Sequence, residues 1–237
     1  MARDWLFPDS IEKITARDGA AHSIVSFEPA KTALLVVDMQ NYYVMEGQGA
    51  YSPAARKLVP NINRLAETMR RVGSTVIWAR NYVDARAFET WSVHYDRMTE
   101  AKRATRARSL SKGELGFRIW HELDTRDDDL YIDKARYSAF IDTACGLEDA
   151  LKKRGIDTLI VCGVSTNVCV ESTARDAMML NYRVLIAADA CAAGSETLHA
   201  ATLNSFYQNF GDVQATDDII ARLESAQPRP RTARAAG

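Results

Sequence analysis

Cysteine is scarce in this chain and long apolar runs are missing. Cys145, Cys162, Cys169 and Cys191 are the only cysteines in 237 residues, and no two are spaced as C-x-x-C. So thin a supply does not make a disulfide scaffold, and reduced thiols in a cytoplasmic protein are expected. No apolar stretch approaches the roughly 20 residues that a membrane-spanning helix needs. The longest candidates, at 33–37 and 159–164, are of strand length. The opening MARDWLFPDS has neither the apolar core nor the small-residue cleavage site of a secretory signal. An excess of one charge sign is missing too. Thirty Lys and Arg stand against 31 Asp and Glu, so neither nucleic acid nor an anionic membrane is an expected partner. No internal repeat is visible.

What is present is an ordinary globular composition, at a length that suits one large α/β domain with a substantial core. Residues 1–28 show no clear period and read as a lead-in strap. The run Ala33-Leu34-Leu35-Val36-Val37 stops at Asp38 and has the continuous apolar character of a strand covered on both faces. Leu58, Ile62, Leu65 and Met69 then form a helical stripe within 54–72, ended by Gly73. Residues 74–79 make the next strand, so the first third is a strand–helix–strand crossover.

Residues 81–128 read as a long insertion with some helix. It carries an aromatic cluster (Phe88, Trp91, Tyr95) and a basic stretch (Lys102, Arg103, Arg106, Arg108, Lys112). That stretch is either a solvated face, a subunit contact or a rim that steers anions. Beyond it come a strand at 130–132, a helix at 143–154, a strand at 158–162 and a helix at 167–180. A strand at 183–188, a helix at 195–209, a short strand at 213–215 and a last helix complete the pattern. The alternation predicts a three-layer α/β/α domain over 29–226 with a mostly parallel central sheet. Residues 227–237, rich in Pro, Arg and Ala, read as a disordered tail.

In such sheets ligands bind beyond the carboxyl ends of the strands. Asp38, Lys134 and the segment Gly163-Val164-Ser165-Thr166-Asn167-Val168-Cys169 all fall at such ends. Cys169 in a first helical turn would gain from the unpaired N–H groups and the dipole, which lower a thiol pKa; otherwise it is a small buried core residue. Asp38 is either a general base and acid for the thiol proton or a turn-forming aspartate. Lys134 either holds the other two in charged form or is a solvated loop lysine. Together they would supply a nucleophile, a base and an electrostatic stabiliser. Asn41, Tyr43, Arg80, Asn81, Tyr82, Tyr137, Phe140 and Gln208 are the candidate substrate contacts. Arg80 would suit a substrate carboxylate, or else form a structural salt bridge.

The blocks Leu35-Val36-Val37-Asp38-Met39-Gln40-Asn41, Lys134-Ala135-Arg136-Tyr137-Ser138-Ala139-Phe140 and Gly163 through Asp176 resemble the isochorismatase-like cysteine hydrolases, over roughly residues 29–223. The resemblance implies Asp38 as proton shuttle, Lys134 as stabiliser and Cys169 as nucleophile. It also implies a cis peptide at Val164-Ser165 and an oxyanion hole from the backbone N–H groups of Ser165 and Cys169. Nicotinamidase-type members carry an Asp-x-His metal motif after the second strand; residues 80–86 here contain no histidine, so neither a metal nor a cofactor is expected. Isochorismate hydrolases carry Tyr-Ala-His in place of Ser165-Thr166-Asn167. The nearest subgroup is the ureidoacrylate, biuret and triuret amidohydrolases, implying a small amide or ureide substrate and a homodimer or homotetramer. The alternatives are hydrolysis of another small metabolite and an inactive binding member of the fold.

Overall fold

The computed structural model describes residues 5–84, 86–141 and 145–226. The sheet-forming strands are β1 (Thr32–Val37), β2 (Thr75–Asn81), β3 (Leu130–Lys134), β4 (Thr158–Val164), β5 (Arg183–Ala192) and β6 (Asp212–Gln214). They form one sheet in the order β3-β2-β1-β4-β5-β6, and every pairing is parallel. The central strands β1 and β4 are buried along their whole length, as their unbroken apolar runs require. The edge strand β3 alternates instead.

The described helices are α1 (Pro8–Asp18), α2 (Asn41–Val44), α3 (Pro53–Arg56), α4 (Val59–Arg71), α5 (Ala87–Thr90), α6 (Ser92–Tyr95), α7 (Glu100–Ser109), α8 (Leu147–Arg154), α9 (Glu171–Met179), α10 (Glu196–Asn209) and α11 (Thr216–Ser225). Helices α4 and α11 pack together against the sheet, and α9 and α10 cover β5 and β6. This is the expected three-layer arrangement. The chain adds strands outward from β1 to β3 and then crosses back to lay β4 on the other side of β1, and that switch point is where an open parallel sheet forms a crevice at its carboxyl edge.

One expectation needs correction. The lead-in strap contains an eleven-residue helix, α1. It packs on α10 through polar contacts, which leave no apolar stripe to read: Gln208 Nε2 donates to Ser10 Oγ at 2.8 Å and its Oε1 accepts from Lys13 at 3.2 Å, while just before the helix Asn204 accepts from the Phe7 N–H at 2.7 Å and donates to the Trp5 carbonyl at 2.8 Å. The insertion, expected to hold some helix, carries α5, α6 and α7. Val83, Ala87, Tyr95 and Leu110 bury themselves with Tyr42 in a second small core. Its return segment runs beside the end of β1, with Trp120 N–H on the Met39 carbonyl and Asn41 N–H on the Arg118 carbonyl. The expected tail at 227–237 lies outside the described residues.

Candidate active site

Asp38 directly follows β1 in a left-handed conformation, φ 56°, which Asp tolerates better than most residues. Its N–H still bonds to the Ala79 carbonyl at 2.8 Å, so the turn is anchored to β2. Gln40 fixes the same corner. Its Nε2 donates to the carbonyls of Asn81 and Phe117 at 2.9 and 2.8 Å, and its Oε1 accepts from Asn81 N–H at 2.7 Å.

Lys134 is the last residue of β3 rather than a loop residue beyond it. β3 is not a neighbour of β1, since β2 lies between them. Two strand gaps span roughly 9.6 Å, a distance a lysine and an aspartate side chain together cover. Lys134 Nζ accordingly reaches Asp38 Oδ2 at 2.9 Å and the Arg136 carbonyl at 3.1 Å. Both side chains are fully buried. Burial works against the ammonium, but Asp38 and Cys169 outweigh it and hold the Lys134 pKa above its ordinary value.

β4 passes β1 so closely at its site end that only glycine fits. Gly163, at φ +109°, would place a Cβ 2.1 Å from the Val37 carbonyl oxygen. The Val164-Ser165 peptide is cis. The expected α-helical start is instead a π-helical turn, Thr166–Val170, a form that recurs at functional sites. Ser165 C=O accepts from the N–H groups of Val168 and Val170, and Cys169 sits within this turn.

The Cys169 thiol meets both other groups, yet its pKa is not lowered. Burial pushes it up to about 12; the Asp38 charge pushes the same way, and Lys134 opposes. Desolvation of the buried sulfur outweighs the pull expected of a helix terminus. Asp38 Oδ1 is buried without a hydrogen-bond partner, so an acceptor stands ready beside the sulfur.

The candidate substrate contacts divide. Tyr43, Asn81 and Tyr137 lie at the site. Burial raises the pKa of both tyrosines, and Asp38 and Cys169 push that of Tyr43, and Cys169 that of Tyr137, the same way. Asn81 is buried, with Nδ2 on the Lys134 carbonyl at 3.3 Å. Tyr137 and Ser138 also line a cavity of about 420 Å³ with Trp91 and Arg136.

The others are committed elsewhere. Arg80 pairs with Asp133 at 2.7 Å and stacks over Phe117, which is the structural salt bridge. Phe140 is core, 5.7 Å from the Tyr182 ring. The Tyr82 ring lies against Lys112. Asn41 donates to the Leu115 carbonyl. Gln208 bonds to Ser10 and Lys13. It ends a helix that starts at the site edge and runs back, so it sits at the far edge of the sheet.

Sequence reasoning missed Gln40 and His94, and placed Arg106 in the basic stretch without a role at the site. His94 stacks on Trp91 at 4.0 Å and meets the Tyr137 hydroxyl at 3.1 Å. Only its place in the aromatic cluster would have signalled it. Among the described residues no group of three or more His, Cys, Asp or Glu side chains is arranged to hold a metal, and no helix is long and apolar enough to cross a membrane.

A family model for the isochorismatase domain matches residues 32–218. The chain belongs to the isochorismatase family. Within that family it is 33% identical over 223 residues to ureidoacrylate amidohydrolase RutB of Acinetobacter baylyi, covering 88% of this chain and 90% of that one. The enzyme of the same name from Klebsiella pneumoniae is 33% identical, with 86% and 92% covered. Among solved structures, a cysteine hydrolase from Pseudomonas syringae superposes with a TM-score of 0.74 at 28% identity, covering 85% of this chain and 96% of the other. N-carbamoylsarcosine amidase from Thermoplasma acidophilum gives 0.62 at 28% identity, with 79% and 97% covered.

Proposed function

We propose that this isochorismatase-family protein is a cysteine amidohydrolase, cleaving a C–N bond of a small amide or ureide and releasing ammonia or an amine. The observation that carries the reading is the buried Lys134–Asp38 ion pair, 2.9 Å long, set against the Cys169 thiol. Relatives named as ureidoacrylate amidohydrolases and an N-carbamoylsarcosine amidase support the substrate class.

A thiol held near pKa 12 is neutral at rest, so its proton moves as attack begins rather than beforehand. Asp38 Oδ1 takes that proton, while the Lys134 ammonium stabilises the sulfur charge. The Sγ–C bond forms as the carbonyl π pair moves onto oxygen, where the N–H groups of Ser165 and Cys169 receive it. Collapse breaks the C–N bond, and Asp38 returns its proton to the departing nitrogen. Water, deprotonated by Asp38, then adds to the S-acyl carbon, and the sulfur leaves to recover a proton. The net reaction consumes one water and leaves the acid and the amine.

The test is turnover of ureidoacrylate, biuret, triuret, N-carbamoylsarcosine and isochorismate, with ammonia or amine detected. Cys169→Ala should lower ureide turnover by about 10⁴-fold or more, as loss of a nucleophile does, with an unchanged circular dichroism spectrum. Undiminished turnover in that variant, or activity on isochorismate alone, would overturn the proposal.

A further inference from the structure

The insertion brings an arginine to the site and gives its charge no counter-charge. Arg106 projects from α7, and its Nη2 donates to Asn81 Oδ1 at 2.8 Å. Two of its basic neighbours find acids, Arg103 with Asp96 and Lys112 with Asp133, but among the described residues no carboxylate stands within ion-pair distance of Arg106. Its surroundings are tyrosines: Tyr42, whose ring centroid is 5.6 Å away, Tyr43 and Tyr95. Its Nε is buried without a hydrogen-bond partner. Arg106 as a whole is half-buried; a guanidinium cannot shed its proton, and a sheltered charge with no counter-charge is costly. An arrangement that keeps one is short of an anion.

The place of that missing anion follows from the rings around it. Tyr43 Oη lies 3.5 Å from Asn81 Oδ1, the oxygen that accepts from Arg106, and beyond burial its pKa responds to Arg106, Asp38 and Cys169 alike. That of Tyr137 likewise responds, beyond burial, to both Arg106 and Cys169. The polar link between the guanidinium and the Lys134 end of the site is a single side chain. Asn81 holds Arg106 with Oδ1 and the Lys134 carbonyl with Nδ2. Further positive charge gathers there. Besides burial, Arg106, Arg97 and Arg136 all depress the His94 pKa, which falls to about 4, so His94 adds no charge of its own near neutrality.

We infer that Arg106 is a specificity-determining residue that binds a carboxylate on the substrate, and so selects anionic ureides over neutral ones at Cys169. Arg80, the arginine that sequence position favours for this task, is already neutralised by Asp133. The inference rests on the amidohydrolase reading for its substrate class. A planar guanidinium offers a carboxylate two parallel N–H donors, which a lysine does not.

Binding separates this inference from the catalytic one. A Cys169→Ala protein is titrated calorimetrically with 3-ureidoacrylate and with propylurea, a neutral ureide of similar length. We expect the carboxylate-bearing ureide to bind about 30-fold more tightly. Adding Arg106→Gln should abolish that preference while leaving propylurea affinity unchanged, and Arg106→Lys should restore part of it. In otherwise wild-type protein, Arg106→Gln should raise KM for ureidoacrylate by a similar factor and leave kcat within about threefold, since ground-state and transition-state binding are lost equally. Thermal melting shows that each variant is folded. A preference that survives Arg106→Gln, equal binding of the two ureides, or binding of neither would overturn the inference. If the preference holds and depends on Arg106, yet wild-type protein releases neither ammonia nor amine from any ureide, it is the amidohydrolase reading that fails.

Discussion

At Cys169 two demands compete. The sulfur must be shielded so that charges around it act strongly, but shielding favours the neutral thiol. Burial wins in the resting site, raising the pKa to about 12 against the pull of Lys134. The consequence is measurable by alkylation of Cys169 with iodoacetamide, followed site by site with mass spectrometry. Only about one thiol in 10⁴ would be ionised at pH 8 with such a pKa. The rate should climb about tenfold per pH unit from 8 to 10 with no plateau, whereas an ordinary thiol levels off near 9. A plateau below pH 9 would show a thiolate preformed in the free enzyme. Stability carries the same sign. Above pH 9 the unfolded chain loses this proton and the folded chain keeps it, so stability falls as pH rises.

Among the elements, the junction of β1 and β4 sets the position of the site. Gly163 lets the two backbones touch where the acid-bearing and sulfur-bearing segments leave the sheet. Gly163→Ala combines an unfavourable φ with a contact against the Val37 backbone, and should cost about 4 kcal/mol or more. Urea unfolding checks this, and a loss below about 1 kcal/mol would mean that the strands have room to spare. This junction was largely legible in advance, because apolar runs ending at Asp38 and Gly163 announce buried parallel strands. The three-layer order and the meeting of Asp38, Lys134 and Cys169 follow from that pattern. The π-helical turn was not legible, since its residues differ little from those of an α-helix. Nor were the partners of Arg80 and Arg106. Both are arginines near strand ends or on a basic helix, and only tertiary packing decides which meets an aspartate.

Across the whole molecule, the amino-terminal helix and the residues just before it are fastened to α10 by Gln208 and Asn204. Asn204 holds the Phe7 N–H, the Trp5 carbonyl and the Ala200 carbonyl of its own helix. Asn204→Leu strands two backbone groups and should cost about 2 kcal/mol, lowering Tm by roughly 4–8 °C. Its contacts run to the first residues and not to the triad, so kcat of the folded fraction should stay unchanged; a fall in kcat with Tm unmoved would assign Asn204 to the site instead. At the sheet's opposite flank stands β3, the outermost strand there and the one most prone to peel away in solvent. Lys134 leans from it over β2 to clasp Asp38. That clasp rivets the rim of the sheet to its middle. Any breathing motion that lifts β3 must first strand a carboxylate in an oily interior, so the flank opens only at the expense of the triad itself.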